Sequence, residues 1–229
     1  MRETDSHPTL RLGFWSALLY AFLLVAFAIA LIGGTVPPAG GWVGIAAYAR
    51  YHSPVDFVAS AIGLPLVLVF LVVLAGVQHH SDGPSKVWSL LAVVLGAIHA
   101  ALVSGACFLQ LGVVWPGLAR GAAAAVEALT LANPYSPVQA LFYFAWGLGG
   151  LAFLCAGLCL REPGLQRLAG WLWMLNGLVN LALVPLWVLR RDLVLYVAGP
   201  SWALLLPLAA VLLAAIYRRA ARVRGESGG

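Results

Sequence analysis

Charge is what this chain has least of. Asp, Glu, Lys and Arg together make up 9% of its 229 residues, against 62% hydrophobic residues. A water-soluble domain typically carries about 25% charged residues. So few charges cannot cover a water-facing surface, and mean hydropathy is correspondingly high, at +0.95. The composition is that of an integral membrane protein.

Other absences narrow the chemistry. No acidic residue falls inside any long apolar run, and the single lysine, Lys86, precedes the third run. That excludes a lysine Schiff base at membrane depth and a proton or cation path built on buried carboxylates. No arginine-rich helix of the voltage-sensing kind is present. There are three cysteines, Cys107, Cys155 and Cys159, all within apolar segments. An odd number at lipid depth is no disulfide framework, and the bland reading is small packing residues. No Cys-x-x-Cys or His-x-x-x-His pair offers metal-ligand spacing. His79, His99 and His52 fall at different depths, which argues against a bis-histidine haem. No metal or cofactor is expected. The net charge of +5 sits at helix ends and in the tail, where it suits lipid headgroups and topology rather than nucleic acid.

What is there is a set of six apolar runs, each close to the roughly 20 residues that span a bilayer. They cover residues 12–33, 56–78, 87–111, 138–160, 169–189 and 194–217. The expected fold is all-α, a polytopic bundle of six transmembrane helices in one membrane domain over residues 1–229, ending in a basic cytoplasmic tail from residue 218 whose last residues, ESGG, are read as disordered. The first run is too long for a signal-peptide core and lacks a clear cleavage site, so it reads as a retained span. Six spans place both termini on one side. That side carries Arg2, Arg11, Lys86, Arg161, Arg167, Arg218, Arg219, Arg222 and Arg224, and the other carries Arg50, Arg120, Arg190 and Arg191. Basic residues concentrate in the cytoplasm, so both termini are expected there.

The outer loops at 34–55 and 112–137 are long and carry Trp42, Tyr48, Tyr51, Trp115 and Tyr135, which suit a membrane interface. Within the second, RGAAAAVEALTLA reads as a short surface helix. The two loops lie in the interface or form a lid. They end alike, in Ser53-Pro54-Val55-Asp56 and Ser136-Pro137-Val138-Gln139, at an 83-residue offset. Each has the chemistry of a helix start: a hydroxyl cap, a proline whose missing N–H is no loss, and a side chain able to reach back. Asp56 is therefore read as a cap rather than a catalytic acid. The same offset suggests a weak parallel repeat of the first two spans in the next two.

Helices in lipid associate through small residues and interhelical hydrogen bonds. The fourth run holds Gly147, Gly149, Gly150 and Gly157 and is expected at the centre, with the Gly149 and Gly150 faces as alternatives for close packing. Pro65, Pro185 and Pro207 fall inside the second, fifth and sixth runs and are expected to bend them. The polar residues left at membrane depth are few. His99 lies mid-way along the third run, and Asn176 and Asn180 lie mid-way along the fifth, one turn apart on one face. If those runs are neighbours, a histidine and two amides meet at the midplane. Ser104, Gln110 and Tyr20 are the candidates to extend such a cluster. It would serve either as interhelical glue or as a pocket for a small apolar or amphipathic ligand, since amides and imidazole both donate and accept. His79-His80 reads as a polar helix end suited to the C-terminal dipole.

The stretch LCAGLCLREPGLQRLAGWLWMLNGLVN, with Gly157, Arg161, Leu165, Arg167, Gly170 and Gly177, resembles an uncharacterised family of bacterial six-helix membrane proteins known as a domain of unknown function. The resemblance covers the middle and later spans. It implies the six-helix fold and a bacterial inner membrane, and no activity or site residues. An acidic residue associated with that family's second span has no interior counterpart here, since Asp56 stands at the helix start. Three function classes follow: a structural or partner- and lipid-interacting membrane protein, with a homo-oligomer through small-residue faces as one form; a ligand binder or transporter using the midplane cluster; and, last, an intramembrane enzyme.

Overall fold

The computed structural model describes residues 6–34, 42–189 and 199–227, and among these there are helices and turns but no strand. The helices are α1 (Ser6–Gly33), α2 (Ile45–Tyr51), α3 (Val55–His79), α4 (Ser85–Leu109), α5 (Trp115–Ala119), α6 (Ala123–Val126), α7 (Pro137–Gly157), α8 (Leu165–Leu189) and α9 (Leu206–Ser227). Six helical stretches are long and apolar enough to cross a membrane. The all-α six-helix bundle is thus the architecture of the chain.

One span boundary differs from the sequence reading. The third span does not end at 111: a π-helical turn, Gln110–Val114, joins α4 to α5, so helix runs on to Ala119. A second π turn, Ser201–Leu205, leads into α9, and the expected start of the sixth span at 194 lies outside the described residues. Residues 194–198, like Arg2, Arg190 and Arg191, lie outside the described residues. Each π turn is followed, one residue on, by a proline, Pro116 or Pro207. The amide just before each proline reaches back five residues, Trp115 to Gln110 and Leu206 to Ser201. Proline has no N–H and its ring presses on the carbonyl four residues back, and a wider turn relieves that contact. Pro65 and Pro185, by contrast, sit within uninterrupted α-helix. At the far end, α9 continues through Glu226 and Ser227, two residues that the sequence reading left without structure.

The caps behave as read. Ser136 Oγ accepts from the Val138 amide at 3.1 Å. Asp56 Oδ2 accepts from the Ser53 amide at 3.0 Å while Ser53 Oγ accepts from the Val55 amide at 3.3 Å, a reciprocal capping box. Gln139 does something else: its Nε2 donates to Leu131 O at 2.9 Å and its Oε1 accepts from Trp187 Nε1 at 3.3 Å, tying loop to α8.

Each span packs chiefly on its chain neighbours, and the last closes on the first: α1 on α3, α3 on α4, α4 on α7, α7 on α8, α8 on α9 and α9 on α1. The closure is made where Tyr217 fills a notch, since a Cβ on Gly13 would stand 2.9 Å from its ring and one on Gly76 2.8 Å from its hydroxyl. Aromatic rings from all six spans meet inside. Tyr20 stacks on Phe70 at 5.5 Å, Phe70 meets Phe153 at 4.7 Å and His99 at 5.8 Å, and Trp146 meets Trp202 at 4.6 Å. Phe153 in turn meets Trp173 at 5.8 Å.

Between α7 and α8 the contact is backbone to backbone. A Cβ on Gly150 would lie 2.7 Å from Gly177 O, and one on Gly177 would lie 2.7 Å from Gly150 O. One heptad away, Gly157 and Gly170 repeat the arrangement at 2.7 and 2.8 Å. The two backbones touch where neither carries a side chain. Gly149 faces onto His99 of α4. The Gly149 and Gly150 faces, about 100° apart around the helix, are therefore both used and are not alternatives.

The outer loops pack on each other. Ile45, Tyr48 and Phe57 form one small core with Val114, Leu118 and Val126, and Phe57 stacks on Trp115 at 5.6 Å. They are a packed cap over the outer ends of α3 and α4 rather than two separate interface segments. Tyr48 OH donates to Asp56 Oδ2 at 3.5 Å. Burial first, and the Asp56 charge second, push the Tyr48 phenol above its ordinary range.

Two outcomes follow. Gly150→Ala and Gly177→Ala should each lower stability by about 1–3 kcal/mol through overpacking, whereas Gly105→Ala, which meets nothing within 4 Å, should be silent; thermal unfolding in detergent checks this, and equal effects at all three positions would refute the close crossing. A raised phenol means that the folded cap prefers protonated Tyr48. Its contribution is complete below the ordinary tyrosine value of 10.0 and is lost as pH climbs above it. A phenolate absorbance titration of the wild type minus Tyr48→Phe should therefore show a midpoint above 10.0.

Candidate functional site

The two amides of α8 are fully buried and belong to its inward face together with Trp173 and Leu183. Asn180 Nδ2 donates back to Asn176 O at 2.9 Å. Asn180 Oδ1 accepts from Trp202 Nε1 at 3.1 Å. An indole N–H can only donate, so this bond fixes which end of the Asn180 amide faces α9. Asn176 Oδ1 accepts a short hydrogen bond from Ser201 Oγ. Ser201 and Trp202 both belong to the π turn before Pro207. The wide turn thus presents a hydroxyl and an indole to two amides one helical turn apart.

His99 makes its bond elsewhere. It lies in α4 with 2% of its surface exposed, and its Nδ1 is 2.8 Å from Ala145 O of α7. A carbonyl can only accept, so Nδ1 carries the hydrogen. The ring can reach that helical carbonyl because Gly149, one turn on, has no side chain: a Cβ there would stand 3.0 Å from Nδ1. The α4 and α8 spans are not adjacent, and α7 packs between them. His99 and the two asparagines therefore form two separate hydrogen-bonded sets, His99 on α7 and the asparagines on the π turn before α9, rather than one cluster bonded to itself.

They are linked by two tryptophans that the sequence reading passed over. The His99 ring lies edge-on to Trp146, with centroids 5.0 Å apart, and Trp146 lies 4.6 Å from Trp202, the partner of Asn180. Tryptophan in membrane helices usually marks the interface. Trp146 sits mid-way along α7, 2% exposed, and that depth was the available signal. Ser201 gave none beyond its place a few residues before a proline.

The remaining candidates separate. Tyr20 stacks on Phe70 and is 2% exposed, a core ring on the His99 side. Ser104 is half-buried, and its Oγ has no partner among the described residues. Gln110 is a strut: its Nε2 donates to Leu129 O at 2.8 Å and its Oε1 accepts from the Leu131 amide at 3.0 Å. It anchors the second outer loop and is no part of the midplane. The cysteines pack: a Cβ on Gly63 would lie 2.9 Å from Cys107 Sγ, and Cys159 Sγ approaches Ser85 O and Cys155 O, each at 3.3 Å.

Chemically, these groups can hold helices together and can accept or donate hydrogen bonds. Ser201 is engaged by an amide rather than by a histidine, which gives no base to activate it. Five buried side-chain groups, Ser104 Oγ, Trp146 Nε1, Trp173 Nε1, Asn176 Nδ2 and Tyr217 Oη, have no hydrogen-bond partner among the described residues. Comparison with family models, with curated proteins and with solved structures finds no match for this chain.

The Asn180–Trp202 bond is open to a double-mutant cycle. Asn180→Leu and Trp202→Phe should couple by about 0.6–1.7 kcal/mol, the range of polar contacts between membrane helices. Additive losses in thermal unfolding would mean that the bond contributes nothing.

Proposed function

We propose that this chain is a non-catalytic integral protein of the bacterial cytoplasmic membrane that works through contacts with lipid or a protein partner. The observation that carries this reading is the use made of the polar groups at membrane depth. His99, Asn176 and Asn180 are each spent on a neighbouring helix inside packed protein. The bacterial setting rests on the resemblance of the α7–α8 stretch to the six-helix family. Cytoplasmic termini rest on charge: Arg11, Lys86, Arg161, Arg167, Arg218, Arg219 and Arg222 belong to the end that holds both termini, and Arg50 and Arg120 to the other.

A second reading is favoured by one observation. The unpartnered donors of Asn176, Trp146 and Trp173 would suit a small molecule that brings acceptor atoms. The first reading expects purified protein to show no specific adduct other than phospholipid in native mass spectrometry. It also expects Asn176→Leu to lower stability by no more than about 2 kcal/mol, as loss of glue would. A stoichiometric adduct that disappears in Asn176→Leu would overturn it in favour of the second. Reporters fused to the carboxyl terminus test the orientation, and activity of a periplasm-only reporter would reverse it.

A further inference from the structure

The turn between α7 and α8 holds a groove of about 500 Å³ whose lining includes Gly157, Leu158, Arg161, Arg167, Trp171 and Met174. Its mouth is basic and its depth apolar. Arg161 is held in place by its Nε, which donates to Leu158 O at 2.6 Å, leaving its terminal nitrogens for another acceptor. Arg167 is exposed, one turn before Trp171. The acid of this turn, Glu162, is engaged by Gln166 Nε2 at 2.7 Å.

A second groove, of about 340 Å³, continues the same seam, lined by Phe144, Gly147, Leu148, Leu151, Leu181 and Val184 beside Pro185. From Leu158 to Leu148 on α7, and from Trp171 to Leu181 on α8, the helices descend by about 15 Å. That is about half the hydrocarbon thickness of a bilayer, the reach of an acyl chain in one leaflet.

We propose that the α7–α8 seam is a binding site for an anionic glycerophospholipid. Its phosphate lies between Arg161 and Arg167, its ester region lies against the Trp171 indole, and one acyl chain runs down the seam past Met174 toward Leu151 and Leu181. Two guanidinium groups give charge-assisted bonds to phosphate oxygens, and an interfacial tryptophan suits the headgroup level. The site deepens the proposed function, resting on its reading of the chain as a membrane-spanning, lipid-contacting protein.

The test is native mass spectrometry of the full chain titrated with phosphatidylglycerol and with phosphatidylcholine of the same acyl chains. Phosphatidylglycerol is expected to bind tighter by roughly tenfold or more, as two arginines at a headgroup imply. Arg161→Gln combined with Arg167→Gln should abolish that preference, while Arg218→Gln combined with Arg222→Gln, at the same end of the bundle, should keep it. Inorganic phosphate should not displace the lipid. A preference that survives the first pair, an equal loss in the second pair, or displacement by inorganic phosphate would each overturn the site. Both arginines of the first pair are exposed, so thermal unfolding of that variant should match the wild type. Resistance to alkaline extraction from membranes scores membrane integration separately, so failure of the lipid site is distinguishable from failure of the reading it rests on.

Discussion

The α7 helix is the member on which the others depend, and what it depends on is the absence of side chains. Lipid tails are as apolar as leucine, so helices in a bilayer gain little by hiding apolar surface from each other. They gain by coming close. Gly150 and Gly157 let α8 approach at Gly177 and Gly170 until backbone meets backbone. On the adjoining face Gly149 admits the His99 ring to the Ala145 carbonyl. One helix is thereby fixed to both of its neighbours by different means: close backbone contact on one side, and a notch filled by a hydrogen-bonding ring on the other.

The two π turns solve a related problem. A polar side chain that must reach a neighbouring helix needs the right azimuth, and a proline needs relief from the carbonyl behind it. Gln110 and Ser201 are the first residues of the two turns, both are buried, and both make the long-range bonds of their segment. Gln110 fastens an outer loop and Ser201 fastens α8. Of the prolines expected to bend their helices, Pro207 follows a widened turn, as does Pro116, which was not among them, while Pro65 and Pro185 sit in uninterrupted α-helix.

How much of this was legible follows from what a sequence encodes directly. The six spans were, because hydropathy over about 20 residues reports span number without any knowledge of contacts. The helix starts at Ser53–Asp56 and Ser136–Val138 were too, because capping is local. Counting along each run puts His99 level with Asn176 and Asn180. Neighbourhood was not legible. Equal depth says nothing about what stands between two helices, and α7 stands between these. The tryptophans that bridge the gap were hidden by a sound generalisation, that tryptophan marks the interface, which fails for Trp146 because its ring is enclosed by His99, Phe142 and Trp202. The end of the third span was missed because residues 112–119 carry Pro116, and a proline reads as a stop when a π turn can absorb it.

The interior and the lipid-facing surface are linked through the same sequence feature. Small residues that bring α7 and α8 together also leave their shared seam without side chains to fill it, and the grooves on that seam include Gly157 in one and Gly147 in the other. A helix pair packed through leucines would present ridges to the lipid instead. Along this seam the chain has large exposed side chains on either bank, among them Phe144, Trp171 and Leu178, with basic groups at one mouth. His99, Asn176 and Asn180 hold helices together inside, while the glycine crossing of α7 and α8 shapes the outer surface. Recognition of a lipid can then be built by side chains at the ends of α7 and α8, because the crossing has already fixed where those ends lie.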